Sequence, residues 1–239
     1  MTCLDTASNY LHHRSHEVLR TTVGDLLPKF SISTKVGYFP EGHSLDPARL
    51  RTAVQQIIKD LGREPEVVFL HNPEHSEPDA ETLVLACATL ADTVRAGLCR
   101  SWGVSTWDPR PLLGLDVPRP DILMVRAGLL VGVDILEAAE ALAAQWRPSR
   151  IWGMSPFNGS ATQEVWERFD PALFLRDPTC ATKAQAAFRS AYALPRVDAV
   201  AVGTDSIDHL RELTDAMAHE VDESLIREYR QLLKARQLA

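Results

Sequence analysis

The sequence predicts an α/β protein built on a parallel sheet that closes into a barrel rather than lying open. Three observations carry that expectation. Short apolar runs alternate with stretches of helical periodicity along the chain. The runs are rich in Val, Ile or Phe, as strands covered on both faces are. No GxGxxG follows the first run, where an open dinucleotide-binding sheet would need glycines to let its backbone approach a pyrophosphate.

The expected strands are Thr2–Leu4, Ser31–Thr34, Glu66–Leu70, Arg100–Val104, Asp121–Val125, Arg150–Met154 and Val197–Val202. Seven strands is one short of a complete eight-stranded barrel. Between them, Pro47–Leu61 repeats Leu50, Val54, Ile57, Ile58 and Leu61 at three- and four-residue spacing, a stripe for packing on a sheet. Asp46 and Pro47 form a start signal for that helix and Gly62 a stop. Glu81–Ala96 ends at Gly97 in the same way. Further helices are expected over Asp134–Trp146, Ser206–Ala218 and Asp222–Ala239. The last has Leu225, Ile226, Tyr229, Leu232 and Leu233 as its apolar face, and reads as an extra helix on the outside.

A chain of 239 residues suits one such domain, and 45% hydrophobic residues exclude a disordered chain. With 25 basic and 32 acidic residues the net charge is −7, which argues against a nucleic-acid surface, since counterion release needs clustered Lys and Arg. The longest apolar stretch, Leu83–Ala91, has nine residues where a membrane span needs ~20. The N-terminus shows no secretory pattern, and Cys3, Cys87, Cys99 and Cys180 form no CxxC pair. Together these predict reduced thiols and a cytoplasmic protein.

In a parallel barrel the reactive groups stand at the C-terminal ends of the strands. Those ends carry Asp5 with Tyr10 five residues on, then Lys35, His71, Ser105, Ser155 and the pair Gly203-Thr204. The first four types make chemical sense together. A phenol is a poor proton donor at neutral pH. A lysine ammonium within ~4–6 Å favours the phenolate and brings the donor toward the working pH. A carboxylate keeps a buried lysine charged, and a neutral histidine can orient a carbonyl. Each residue alone would more often be a turn cap or a core hydrogen-bonder. Four complementary types at three consecutive strand ends are not.

These residues lie within blocks that resemble the aldo-keto reductases. The blocks are LDTASNY (Leu4–Tyr10) with Ser15 and Glu17, ISTKVG (Ile32–Gly37), FLHNP (Phe69–Pro73), GVSTW (Gly103–Trp107), SPFNG (Ser155–Gly159) and VGTDSIDHLRE (Val202–Glu212), in the family's order. The resemblance implies a TIM (β/α)8-type barrel lacking the usual first strand and helix. Residues 1–239 would form one domain, with 222–239 an additional C-terminal helix. It implies NADPH-dependent reduction of an aldehyde or ketone, with Tyr10 as general acid, Lys35 and Asp5 tuning it, and His71 orienting the carbonyl.

The resemblance also implies a cofactor site of Ser105, Thr106, Met124, Ser155, Phe157, Gly159, Gly203, Thr204, His209 and Glu212. This half departs from the family. Thr106 stands where the family usually has Asn, and Met124 where it has Gln, so two groups that would read a nicotinamide carboxamide are altered. Met154 stands where an aromatic ring usually stacks on the nicotinamide. His209 replaces a basic residue near the 2′-phosphate, with Arg211 close by, and Leu213 replaces the following Asn. Gly203-Thr204 is the expected phosphate seat.

Two other readings compete. On the same barrel the Asp-Tyr-Lys-His set could serve a dehydratase, lyase or isomerase without cofactor, or remain in a non-catalytic subunit. Histidine spacings at His12/His16 and His71/His75 suggest metal, but no carboxylate cluster accompanies them. His12, His13, His16 and His75 are therefore expected in loops, with no metal bound. The expected partner is a small carbonyl compound, not nucleic acid or membrane, and a missing barrel strand would favour a homo-oligomer by leaving an open edge. Gly159–Leu194 is the natural lid or specificity segment, and Trp107 and Phe157 are candidate pocket walls.

Overall fold

In the computed structural model, which describes residues 2–237, the chain divides into two compact units. One comprises 1–124 and 142–149, the other 125–141 and 150–239. The strands are β1 (Cys3–Asp5), β2 (Ser31–Val36), β3 (Tyr38–Phe39), β4 (Gly42–His43), β5 (Val67–His71), β6 (Ser101–Thr106), β7 (Ile122–Arg126), β8 (Arg150–Met154) and β9 (Ala199–Ala201). The helices are α1 (Ser15–Val23), α2 (Pro47–Leu61), α3 (Ala80–Arg95), α4 (Val133–Trp146), α5 (Val165–Arg168), α6 (Lys183–Ser190), α7 (Ile207–Asp215) and α8 (Glu223–Gln237). Seven strands form one sheet in the order β1-β2-β5-β6-β7-β8-β9, so neighbours in the sheet follow the chain. All seven expected strands are present, with no end shifted by more than two residues. The small β3–β4 hairpin is additional and antiparallel.

In the first unit β1, β2, β5 and β6 pair in parallel. Register opposes Asp5 to Ser33, Lys35 to Phe69 and His71 to Ser105, which brings the polar strand ends level with one another. The start and stop signals of α2 act as read from the sequence. The Asp46 side chain accepts from the Arg49 N–H at 2.8 Å, and Gly62 turns the chain out at φ 73° with its N–H on the Ile58 carbonyl. Leu50, Val54, Ile57 and Leu61 are buried, each contributing about 1.5–3 kcal/mol over exposure. Asp79 caps α3 in the same manner, through the Thr82 N–H.

In the second unit β8 pairs with β9 in parallel. The segment Gly159–Leu194 is not a bare loop. It holds α5, a 3-10 turn at Pro171–Phe174 and α6, the last closed by reciprocal hydrogen bonds between Thr182 and Gln185. Trp166, Phe174, Leu175, Ala186 and Ala187 from this segment share a core with Leu129, Ile135, Leu136 and Ile226. The extra C-terminal helix is present as α8, though Leu238 and Ala239 lie outside the described residues. It is fastened by Tyr229 Oη donating to the Leu129 carbonyl at 2.6 Å and by a two-pronged Arg230–Glu140 pair. Its apolar face is narrower than the five residues expected. Ile226, Tyr229 and Leu233 turn inward at helical spacing, whereas Leu225 and Leu232 lie on a neighbouring edge and are exposed. No helix among the described residues is long and apolar enough to cross a membrane.

Candidate active site

The site starts from the ladder between β1 and β2. Thr6 N–H donates to the Ser33 carbonyl at 2.9 Å and Ser8 N–H to the Lys35 carbonyl at 3.0 Å, so the pairing continues beyond β1. A turn closed by Tyr10 N–H on the Ala7 carbonyl follows, and Ser15 Oγ donates to the same carbonyl at 2.6 Å. Leu11, His12 and His13 then take left-handed conformations in succession, at φ 50°, 53° and 65°. Such backbone costs an ordinary side chain about 1–2 kcal/mol per residue. Strain concentrated beside one aromatic residue is the kind of local cost found at functional sites.

Lys35 is 2% exposed, yet its ammonium is well supplied with acceptors. It donates to Asp5 Oδ2 at 2.5 Å and to the Thr6 carbonyl at 2.9 Å, while Ser33 Oγ donates to Asp5 Oδ1 at 2.7 Å. A buried ammonium survives only with such partners. Its Nζ lies 5.4 Å from the centre of the Tyr10 ring, which is itself 44% exposed. The Tyr10 and His71 rings are 6.4 Å apart and edge-on. The structure therefore brings Asp5, Lys35, Tyr10 and His71 to one rim.

His71, at the end of β5, is buried, and its pKa is lowered to about 3, first by burial and then by the Lys35 and His43 charges. The ring is neutral at physiological pH. Its Nδ1 is buried without a hydrogen-bond partner. Without a partner, Nδ1 makes no hydrogen bond in either protonation state, and Nε2 is the ring nitrogen left to engage a ligand. The β3–β4 hairpin holds this residue from behind. His43 Nε2–H donates to the His71 carbonyl at 2.9 Å, and Tyr38 packs edge-on against the His71 ring at 4.9 Å. Gly37, at φ 138°, makes the approach possible. A Cβ there would stand 3.1 Å from the His71 carbonyl oxygen and 3.2 Å from His43 Nε2.

At the end of β6, Ser105, Thr106 and, from β7, Met124 are each 0% exposed. Ser105 Oγ and Met124 Sδ make a 3.5 Å hydrogen bond, so these side chains face each other. Glu74 reaches across from the turn after β5, and its Oε1 accepts from the Trp107 and Asp108 N–H groups at 2.8 and 3.1 Å. Its Oε2 and Thr106 Oγ1 are both buried without a well-formed hydrogen bond. Burial raises the Glu74 pKa, against the lowering effect of the backbone donors.

The second unit carries the remaining residues. Ser155 and Asn158, both left-handed, frame the turn after β8 that includes Phe157 and Gly159. Asn158 Oδ1 accepts from Arg126 at 2.7 Å. Phe157 is partly buried, packs on Trp166 and lines a cavity with it, so it serves as both core and pocket wall. Gly203 and Thr204 are exposed in the loop before α7, with nothing within 4 Å of where a Gly203 Cβ would be. The cap of α7 is Ser206, whose Oγ accepts from the His209 N–H. His209 is exposed, and Glu212 accepts from Thr182 Oγ1 at 2.5 Å.

The sequence profile described as the aldo/keto reductase family matches residues 1–127. The chain belongs to the aldo/keto reductase family. No curated protein sequence matches it. Among solved structures, aldo-keto reductase AKR11C1 from Bacillus halodurans in its holo form superposes with a TM-score of 0.75 at 18% identity, covering 98% of this chain and 82% of that one. An aldo-keto reductase from Klebsiella pneumoniae in complex with NADPH gives 0.74 at 17% identity, covering 98% and 80%. The thermostable aldo-keto reductase Tm1743, solved with the inhibitor epalrestat, gives 0.70 at 22%, covering 97% and 80%. These likenesses show the fold, the (β/α)8-barrel type anticipated from the strand rhythm, here with seven strands in the sheet.

Two features of this aldo/keto reductase chain escaped the sequence reading. One is the β3–β4 hairpin behind His71. Its signal was present in Gly37, the paired aromatics Tyr38 and Phe39, and the Pro40-Glu41-Gly42 turn. The other is α1, and with it the place of His16. Instead of lying in a loop, His16 is buried in α1 with Nε2 2.7 Å from Thr34 Oγ1, and burial lowers its pKa to about 4. His75 sits in a 3-10 turn rather than an open loop, packed against Tyr38 at 5.3 Å.

Proposed function

We propose that the chain is an NADPH-dependent oxidoreductase that reduces an aldehyde or ketone to the alcohol. Family membership supports the reaction class, and one local observation carries the roles. Buried Lys35, paired with Asp5, stands beside the exposed ring of Tyr10, with neutral His71 on the same rim. In this reading Tyr10 Oη gives its proton to the carbonyl oxygen as negative charge develops there. Lys35 sets a fixed positive charge next to the ring that inherits that charge, and Asp5 holds the ammonium in place. His71 donates from Nε2 to the same carbonyl oxygen and sets its direction. When bound, the reduced nicotinamide supplies the hydride.

The residues fit such a cofactor unevenly. In the second unit, the open Gly203-Thr204 turn, with Arg211 exposed nearby, suits a phosphate approached by backbone N–H groups. In the first unit, the buried Thr106 hydroxyl faces the Glu74 carboxylate, which leaves its oxygen able to accept from an amide. Ser105 Oγ gives its proton to Met124 Sδ, so this buried pair presents no donor to the carboxamide oxygen. That last observation favours the second reading, proton transfer chemistry without a nicotinamide.

Titration of the protein with NADPH, followed by nicotinamide fluorescence, separates the two. Micromolar binding supports the reductase, and no binding at millimolar concentration removes it. Tyr10→Phe is expected to lower kcat by ~10²–10⁴-fold, the usual worth of a general acid. The Kd for NADPH should stay within about twofold. Turnover at the wild-type rate would dismiss Tyr10 as the acid.

A further inference from the structure

Beside α2 the first unit holds a cavity of about 470 Å³ that the reductase reading leaves unused. It is large enough for a small organic molecule. Its floor is α2, where Arg49, Thr52, Ala53, Gln56, Ile57 and Asp60 recur at three- and four-residue intervals and so share one side of the helix. Tyr38 and Phe39 of the hairpin and His16 of α1 close it from the other sides. Most of this surface is aromatic or aliphatic.

The charges are distributed unequally. At one end the Arg49 guanidinium is already matched, paired with Glu41 at 2.7 Å and stacked 4.2 Å over the Phe39 ring. At the other end, roughly 16 Å along the helix, Asp60 receives a single 2.8 Å hydrogen bond from Gln56 Nε2. No ion pair to Asp60 is formed among the described residues. His16 supplies no opposing charge, because its buried ring is neutral and its Nε2 is engaged with Thr34. With Ser8 and His13 on its lining as well, the cavity thus joins largely apolar walls to one half-buried carboxylate that forms no ion pair among the described residues.

We propose that this cavity is a second ligand site, selective for an organic cation with an apolar body, whose ammonium pairs with Asp60 and whose hydrocarbon lies along Ala53, Ile57 and the hairpin rings. The inference does not rest on the proposed reductase activity.

Calorimetric titration with 2-(1-naphthyl)ethylamine, 2-(1-naphthyl)ethanol and 1-naphthylacetate tests it on the wild-type protein. The amine should bind at least tenfold more tightly than the alcohol, and the carboxylate most weakly of the three. Asp60→Asn should bring the amine down to the affinity of the alcohol. Thr52→Trp, at an exposed position of α2, should weaken the amine and the alcohol by tenfold or more with an unchanged circular dichroism spectrum. No amine binding at millimolar concentration, equal affinity for amine and carboxylate, or full amine affinity in Asp60→Asn would each overturn the proposal.

Discussion

The rim of the first unit and the turn before α7 in the second are built on opposite principles. At the rim, Lys35, Asp5 and His71 are held by side-chain and backbone partners, and the lysine is almost wholly buried. Before α7, Gly203 and Thr204 are exposed, and within its first turns His209 is exposed and Arg211 pairs with surface Asp208. Proton transfer needs groups fixed to a fraction of an ångström in a medium of low polarity. Anion binding needs accessible N–H groups and charge, and tolerates water. The contrast teaches where this chain concentrates its rigidity.

Three perturbations sharpen that contrast, beginning with the strongest. Lys35→Met removes the ammonium from beside the Asp5 carboxylate, which keeps access to water, so the cost is on the order of 1–3 kcal/mol, below that for a wholly buried pair. It also deprives Tyr10 of its neighbouring charge, so we expect a lower Tm together with at least ~100-fold lower kcat. A variant of wild-type stability and activity would show that the pair organises nothing.

The second concerns His16, buried in the same unit. Its folded pKa of about 4 lies below the usual 6.5, so between those values the unfolded chain binds more protons than the folded one. Stability must therefore fall as pH drops from about 6.5 toward 4, on the order of 2–3 kcal/mol for this group. His16→Gln should flatten that part of the Tm–pH curve. Parallel curves for the variant and the wild type would assign the acid sensitivity elsewhere. The smallest effect belongs to the second unit. Arg211→Ala should weaken NADPH binding by about 3–10-fold at low salt and less at high salt, with kcat unchanged. A loss that salt does not reduce would mean that Arg211 acts other than as a surface charge.

Much of this was legible in the sequence because strand ends and helix stops are local. Asp46, Pro47 and Gly62 bound α2 through their own backbone chemistry, and Arg150–Met154 matched its strand end to end. The groups of the rim could be named because each closes a run of apolar residues. What could not be read were contacts made across the fold. That His43 would hold the His71 carbonyl, or that Glu74 would bind the Trp107 and Asp108 amides, depends on tertiary approach. Periodicity carries no signal of such approach. The place of His16 in α1 is a contact of the same kind, since its burial goes with the approach of Thr34 from β2.

The shortness of β1 has a consequence for how chemistry and folding are joined. Three residues long and paired with β2 alone in the sheet, it is bound by few backbone bonds, and the two Lys35 hydrogen bonds to Asp5 and Thr6 run alongside them. The ammonium that stands beside the Tyr10 ring is therefore also a rivet for the border of the sheet. Whatever removes that charge loosens the seam, so the margin of the sheet and the electrostatics of the rim change together.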